Sequence, residues 1–147
     1  MTKTWILAAD ASRARIFELD GRARLREIEE FEHPQGRAQN RELNTDAEGR
    51  YFGGGQMQGH SAQPRLDAAQ HEAERFSRSL GGYLEHARVQ HRFDRLCLFA
   101  PPKFLGLMRS QLSKDALRLV EEEVPKDIAQ LAPREIEDYL RRHGTLH

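Results

Sequence analysis

Three glycines followed by a glutamine, Gly53 to Gln56, give the sharpest chemical signal in the sequence. Paired glycines permit positive φ angles and let the backbone approach a ligand closely. In a loop that hydrolyses an ester, a backbone N–H can then meet the developing oxyanion while the glutamine places or excludes water. We therefore take Gly54, Gly55 and Gln56 as the candidate catalytic residues. The alternative is a surface loop in which the glycines happen to precede Gln56.

Carboxylates offer a second chemistry, because a ribonuclease H-like nuclease holds two divalent metal ions with clustered carboxylates. Asp10 follows the first predicted strand, where such a ligand is expected, and Glu72 or Glu74 on a long predicted helix offers a second. Asp94, however, begins its strand instead of ending it, and that strand ends in an alanine and a proline. Asp10 therefore fits better as a turn cap that accepts hydrogen bonds from nearby backbone N–H groups.

Histidine and cysteine give no comparable pattern. The seven histidines are scattered, without an HExxH motif or a pair four residues apart on one predicted helix face. We expect surface histidines, no metal site and no cofactor. Cys97 lies among apolar neighbours, whereas a reactive thiolate needs an electropositive, accessible setting. We expect a small buried residue there and not a nucleophile.

Four arginines surround the glycine-rich segment, and arginine commonly binds phosphate groups. The candidate RNA-binding residues are accordingly Arg37, Arg41, Arg50 and Arg65. The alternatives are that these side chains are solvated or that they form ion pairs with acids of the same segment, which are Glu42, Asp46 and Glu48.

Hydrophobic patterns predict the strands that position these residues. The apolar runs 5–9 and 96–100 are too short for buried helices, so they predict two buried strands that are covered on both faces. Segments 14–19 and 24–32 predict a hairpin around the turn signal Asp20-Gly21. The second segment is ambiguous, because Leu25, Ile28 and Phe31 are spaced by three and suit a helix as well.

The segment 33–64 is rich in glycine and proline and has no apolar period, so we predict a long loop. A loop of this length is uncommon inside a compact domain and is usually functional or mobile. Apolar residues at three- and four-residue steps predict a long helix over 65–89, with Pro64 in its first turn. A short helix near 104–112 and a last helix over 133–143 follow. Residues 116–124 suit an edge strand or a helix extension.

The predicted order of elements is β-β-β-α-β-α-β-α. This order is that of a ribonuclease H-like α/β fold, in which helices flank a mixed sheet. No linker separates two cores, so we predict a single domain over residues 1–147.

Composition limits the function. Lys and Arg total 23, as do Asp and Glu, and this balance argues against attraction of nucleic acid to the whole surface but not against a local contact. No apolar stretch approaches the roughly 20 residues of a membrane span. The single cysteine excludes an internal disulfide, and a cytoplasmic location is the default expectation.

Four segments carry a resemblance that extends over nearly the whole chain. They are TWILAADASRARIF at 4–17, DAEGR at 46–50, FDRL at 93–96 continuing through APPKFLG at 100–106, and VPKDI at 124–128. In this order and spacing they resemble a bacterial family described as host attachment proteins, or proteins required for attachment to host cells.

That family in turn resembles the central domain of archaeo-eukaryotic release factors and Pelota-like proteins, in which a Gly-Gly-Gln loop enters the peptidyl-transferase centre. The resemblance implies a cytoplasmic, translation-associated module that binds the ribosome or tRNA through the predicted loop. The codon-reading domain has no counterpart in the sequence, so stop-codon recognition by this chain alone is not expected. Three alternatives stay open: a peptidyl-tRNA ester hydrolase that uses Gln56, a protein-interaction factor needed for host attachment, and a metal-dependent ribonuclease.

Overall fold

Five strands form one mixed sheet in a computed structural model of the chain, which describes residues 2–19, 25–34 and 55–145 and, over 55–66, the backbone alone. The strands are β1, Thr4–Ala9; β2, Arg13–Leu19; β3, Leu25–Glu32; β4, Arg95–Phe99; and β5, Val120–Val124. They lie in the order β3-β2-β1-β4-β5. Strand β2 is antiparallel to β1 and β3, whereas β1, β4 and β5 run parallel. This confirms the predicted α/β class, a ribonuclease H-like mixed sheet flanked by helices.

The central position of β1 follows from its apolar run. It pairs with β2 on one side and with β4 on the other, and Trp5 through Ala9 are buried. Successive side chains of a strand point to opposite faces. Trp5 and Leu7 therefore enter one core and Ile6 enters the other. A strand covered on both faces needs a continuous apolar sequence, as predicted.

A register shift explains the ambiguous spacing in β3. Ile16 of β2 pairs with Glu29, but Phe17 pairs with Glu27, so Ile28 is an extra residue on the β3 side. Such an extra residue changes the phase of the alternation along the strand. Ile28 and Phe31, three residues apart, consequently pack into the same core. The three-residue spacing thus belongs to an irregular strand and not to a helix.

Helices cover both faces of the sheet. Those in the described residues are α1, Gly55–Val89; α2, Pro102–Gln111; α3, Lys114–Arg118; and α4, Pro133–His143. The first three pack on one face, where they form the larger core with Trp5 and Leu7. The fourth covers the other face with its buried Ile136 and Leu140.

Helix α1 begins ten residues before the predicted helix start at 65, so residues 55–64 of the predicted loop are helical. Pro64, which was expected in the first turn, lies inside the helix. Glycine and proline lower helix propensity, so the sequence gives no helical signal before 65. Once the part from Ala69 onward is held in the core, the helix extends without a new nucleation cost. Residues 35–54 of the predicted loop lie outside the described residues. Neither α1 nor another helix in the described ranges combines the length and hydrophobicity of a membrane span.

The segment 116–124 contains both of its predicted alternatives in succession. Helix α3 ends at Arg118 and β5 begins at Val120. Ser113 caps α3, because its Oγ accepts a hydrogen bond from the N–H of Ala116. The observed order therefore contains one short helix more than predicted, between α2 and β5.

Two neighbouring glycines of α1 allow a stringent test of the packing between α1 and α2. A Cβ at Gly81 would lie 2.9 Å from both the Cβ and the carbonyl oxygen of Gln111, whereas a Cβ at Gly82 meets no atom within 4 Å. We expect Gly81→Ala to lower the free energy of unfolding by about 1–3 kcal/mol, because the two helices must move apart. The matched control Gly82→Ala should raise it by up to about 1 kcal/mol through helix propensity. Urea unfolding measures both, and equal stabilities of the two variants would contradict this packing.

Candidate functional site

The carboxyl ends of β1, β3 and β4 meet at one edge of the sheet, because these strands run in the same direction. Asp10 follows β1 and His33 follows β3 at this edge. Ligands of open α/β sheets commonly bind beyond the carboxyl ends of the strands. A site built from the candidate carboxylates is therefore expected at this edge.

Asp10 is completely buried, and both of its oxygens accept hydrogen bonds. Its Oδ1 accepts from the backbone N–H of Ser12 at 2.8 Å, from the hydroxyl of Ser12 at 3.0 Å and from the backbone N–H of Arg13 at 2.9 Å. Its Oδ2 accepts from Nε2 of Gln130 at 2.9 Å. The backbone N–H of Asp10 also donates to the carbonyl of Arg13 at 2.8 Å, which closes the β1–β2 turn.

These contacts confirm the prediction that Asp10 caps a turn. A buried carboxylate is stable only when hydrogen bonds replace its lost hydration, and Asp10 has four such bonds. The same bonds occupy the oxygen atoms that would otherwise bind a metal ion. Asp10 is therefore a structural centre of this edge.

His33 and Glu72 form a second contact at this edge. The imidazole Nε2 of His33 lies 2.8 Å from Oε1 of Glu72, and its ring stacks on Phe76 with centroids 5.1 Å apart. The backbone N–H of His33 donates to the carbonyl of Ser12 at 2.8 Å. His33 thereby joins the end of β3 to the Asp10 turn and to α1.

The remaining candidate carboxylates do not approach Asp10. Glu74 accepts a hydrogen bond from Gln70 on its own helix, and Asp94 accepts one from the N–H of Lys3 at the opposite edge of the sheet. In the described ranges, no three His, Cys, Asp or Glu side chains are grouped closely enough to hold a metal ion. This part of the chain gives the ribonuclease alternative no support.

Arg15 is a buried charge that the sequence analysis did not single out. It is 2% exposed and forms two hydrogen bonds with the carboxylate of Glu27, at 2.9 and 3.1 Å. Its Nη1 donates to the carbonyl of Leu131 at 2.5 Å and to that of Ala129 at 3.3 Å. The sequence could have indicated its burial, because Arg15 lies between Ala14 and Ile16 of a buried strand. A buried arginine requires partners.

Asp127 lies between β5 and α4, in the segment whose carbonyl groups bind Arg15. Burial and the negative charge of Asp10 raise the pKa of Asp127, although the side chain keeps contact with solvent. A carboxyl group whose pKa is raised on folding favours the folded state at pH values below its unfolded pKa. This contribution is lost as the pH rises through the raised value. Ionisation of Asp127 therefore opposes the docking of this segment.

A family model described as "Protein required for attachment to host cells" matches residues 5–140. The matched region runs from β1 into α4 and so contains the Asp10 turn and all of the sheet except Thr4. The chain belongs to this family. No curated protein matches the chain. The first part of the predicted resemblance is thus confirmed, and the likeness to release factors stays a prediction.

The predicted site residues of this host-attachment-family protein lie at the beginning of α1 and before it. Gly55 and Gln56 are the first two residues of the helix, and Arg65 lies further along it; only the backbone of these residues is described. Gly54 lies outside the described residues, as do the other candidate arginines, which are Arg37, Arg41 and Arg50. Their catalytic and RNA-binding roles stay predictions.

Cys97 of the family member lies in β4 and is buried. Burial, together with the charges of Glu122 and Glu121, raises the pKa of its thiol to about 12. The nucleophilic thiolate is therefore scarce at neutral pH. This agrees with the predicted small buried residue.

An open depression of about 550 Å³ lies at the opposite edge of the sheet, at the amino ends of β1 and β4. Arg95 in its wall pairs with Glu121 at 3.3 Å, and Glu122 accepts a hydrogen bond from Thr145 at 2.9 Å. Because these charged groups already have protein partners, we assign the depression no ligand.

Truncation of Asp10 tests its structural role. Asp10→Ala removes the acceptor of two buried hydrogen bonds from Ser12 and of two partly buried ones from Arg13 and Gln130, and we expect the free energy of unfolding to fall by about 3 kcal/mol or more. The control Asp94→Ala removes a single exposed acceptor and should cost less than about 1 kcal/mol. Urea denaturation of both variants provides the comparison. A stability of Asp10→Ala equal to that of the control would show that the buried bonds do not hold this edge together.

Proposed function

We propose that this member of the host-attachment family is an RNA-binding module that acts in the cytoplasm close to the translation machinery, on the ribosome or on tRNA. In this proposal its domain is related to the central domain of release factors. The observation that carries the proposal is the start of α1 at Gly55 and Gln56, fourteen residues before Ala69, the first described core residue of the helix.

The length of α1 exceeds what the sheet requires. The helix has 35 residues and is therefore about 52 Å long, whereas a six-residue strand such as β1 spans about 20 Å. Its described core residues run from Ala69 to Ala87. Gly55 lies about 21 Å along the helix axis from Ala69 if the helix is straight. A stem of this length suits the delivery of a glycine–glutamine sequence into a partner.

Arginines of the same region would supply the affinity. Arg65 lies in α1, ten positions after Gly55, and the candidate arginines of the preceding segment are Arg37, Arg41 and Arg50. Contacts between guanidinium groups and phosphates dominate the affinity of most proteins for nucleic acid and weaken with salt. The description of the family as required for attachment to host cells fits, in this proposal, an indirect effect of such a module.

Co-sedimentation with ribosomes tests the proposed function. We expect the wild-type chain to pellet with bacterial 70S ribosomes at low salt and to bind deacylated tRNA. We expect both interactions to weaken as the salt concentration rises. Arg50→Gln should reduce binding, whereas Arg134→Gln, a change of equal charge on the exposed surface of α4, should not. Failure of the wild-type chain to bind either RNA would refute the proposal, and recovery of host or envelope proteins without ribosomal components would favour the interaction factor instead.

Ester hydrolysis is a second candidate, favoured by the position of Gln56 as the second residue of α1. If Gln56 places the attacking water, Gln56→Ala should lower the release of labelled peptide from ribosome-bound peptidyl-tRNA by about 100-fold or more, the usual cost of losing a group that acts on the transition state. Ribosome binding by this variant should persist. Equal release by the two proteins would remove Gln56 from any mechanism.

A further inference from the structure

The solvent face of α1 carries basic and imidazole side chains at helical spacing. His71, Arg75 and Arg78 are exposed and lie four and three residues apart, so they follow one side of the helix. His86 follows eight residues after Arg78 and lies about 20° around the helix from Arg75, so it belongs to the same face. The opposite side of the helix enters the core through residues such as Leu80. We call the exposed residues His71, Arg75, Arg78 and His86 the α1 stripe.

Unlike eight of the other eleven arginines whose side chains the structure describes, the two arginines of the stripe lack a carboxylate partner in the described ranges. In the described part of the chain, neither Arg75 nor Arg78 has a carboxylate within ion-pair distance. Eight other described arginines form ion pairs, and these are Arg13, Arg15, Arg26, Arg88, Arg95, Arg109, Arg118 and Arg141. A guanidinium without a carboxylate partner keeps its donors available for an external anion.

Three of the four acidic residues of α1 contact other side chains, two of them within the helix itself. Glu72 contacts His33, Glu74 accepts a hydrogen bond from Gln70, and Glu85 pairs with Arg88. The hydrogen bonds from Arg88 and Ser113 lower the pKa of Glu85 to about 2. Asp67 is exposed and lies four residues before His71, so its carboxylate is on the same side of the helix, at the amino-terminal end of the stripe.

Negative charge is concentrated on the two outermost strands of the sheet. Strand β3 at one edge contains four glutamates and β5 at the other contains three. Charged residues on edge strands oppose pairing with another chain. With a formal net charge of zero for the whole protein, the positive charge of the stripe is local. A polyanion would therefore be attracted to the exposed arginines of the stripe and not to the domain as a whole.

We infer that the α1 stripe binds the phosphate backbone of RNA. Arg75 and Arg78 each form a charge-assisted pair with a phosphate, and the two histidines donate hydrogen bonds to phosphate or ribose oxygens. Gly82 lies between Arg78 and His86 and is exposed, and a Cβ placed there would meet no atom within 4 Å. The RNA strand can therefore approach the helix closely at this point. The choice of RNA as the polyanion rests on the proposed function. The stripe extends that function from the start of α1 onto the part of the helix that packs on the sheet.

Fluorescence anisotropy with a labelled RNA tests the inference. The probe is a 5′-fluorescein uridine oligonucleotide of about 20 residues, without ribosomal components, in about 50 mM KCl. We expect Arg75→Gln/Arg78→Gln to bind about tenfold or more weakly than wild type, with a salt dependence reduced by about 1.4 in slope, or 0.7 per lost phosphate contact. The matched control is Arg134→Gln/Arg142→Gln, which removes two exposed arginines from α4 and should bind as wild type does.

The outcomes separate this inference from the proposed function. Loss of binding in the α1 variant alone supports the stripe, even if the wild-type chain fails to pellet with ribosomes. Equal losses in both double variants would overturn the stripe, because binding would then depend only on total charge. The absence of wild-type binding to the oligonucleotide would also overturn it, whatever the ribosome experiment gives. Because all four arginines are exposed, we expect both variants to keep the wild-type fold. Circular dichroism and urea unfolding check this.

Discussion

The buried carboxylate of Asp10 holds together segments that are distant in the sequence. Its oxygens fix the turn that leads from β1 into β2, and Gln130, 120 residues later, reaches the same group. Arg15 extends the connection, because it joins Glu27 of β3 to the carbonyl groups that precede α4. Each of these charges is stable in the interior only while its partners are present. The carboxyl edge of the sheet is thus a structural unit whose polar atoms bond to one another.

In the proposed function, this arrangement separates the residues that stabilise the fold from those that bind RNA. An α/β protein often binds its ligand at the carboxyl ends of its strands. Here the polar atoms at that position form hydrogen bonds with other groups of the same chain. Arg75 and Arg78 of α1, by contrast, face solvent and retain unused donors. The rigid edge determines the direction of the helix through the contact between His33 and Glu72 and through the stacking of His33 on Phe76. Because the part of α1 from Ala69 to Ala87 is fixed in the core, the exposed stripe keeps a constant position on the domain.

The sequence predicts those parts of the fold that depend on local apolar patterns. The runs that became β1 and β4, the body of α1 and the turn cap at Asp10 are confirmed because each depends on near neighbours. The start of α1 was missed because its glycines and Pro64 lower the local helix propensity. The helix forms there as an extension of a segment that packs in the core. The irregular position of Ile28 and the partners of Arg15 depend on pairing between strands. The contact of Gln130 with Asp10 spans most of the chain, and no local pattern contains it.

Nuclear magnetic resonance of the ¹⁵N-labelled protein offers the most direct test of the claim that α1 binds RNA while the Asp10 edge is structural. During titration with the uridine oligonucleotide, the account predicts the largest amide shift changes in α1, around His71, Arg75 and Arg78, and almost none in the turn at residues 10–13. The largest changes at that turn or along β5, with α1 unaffected, would contradict it.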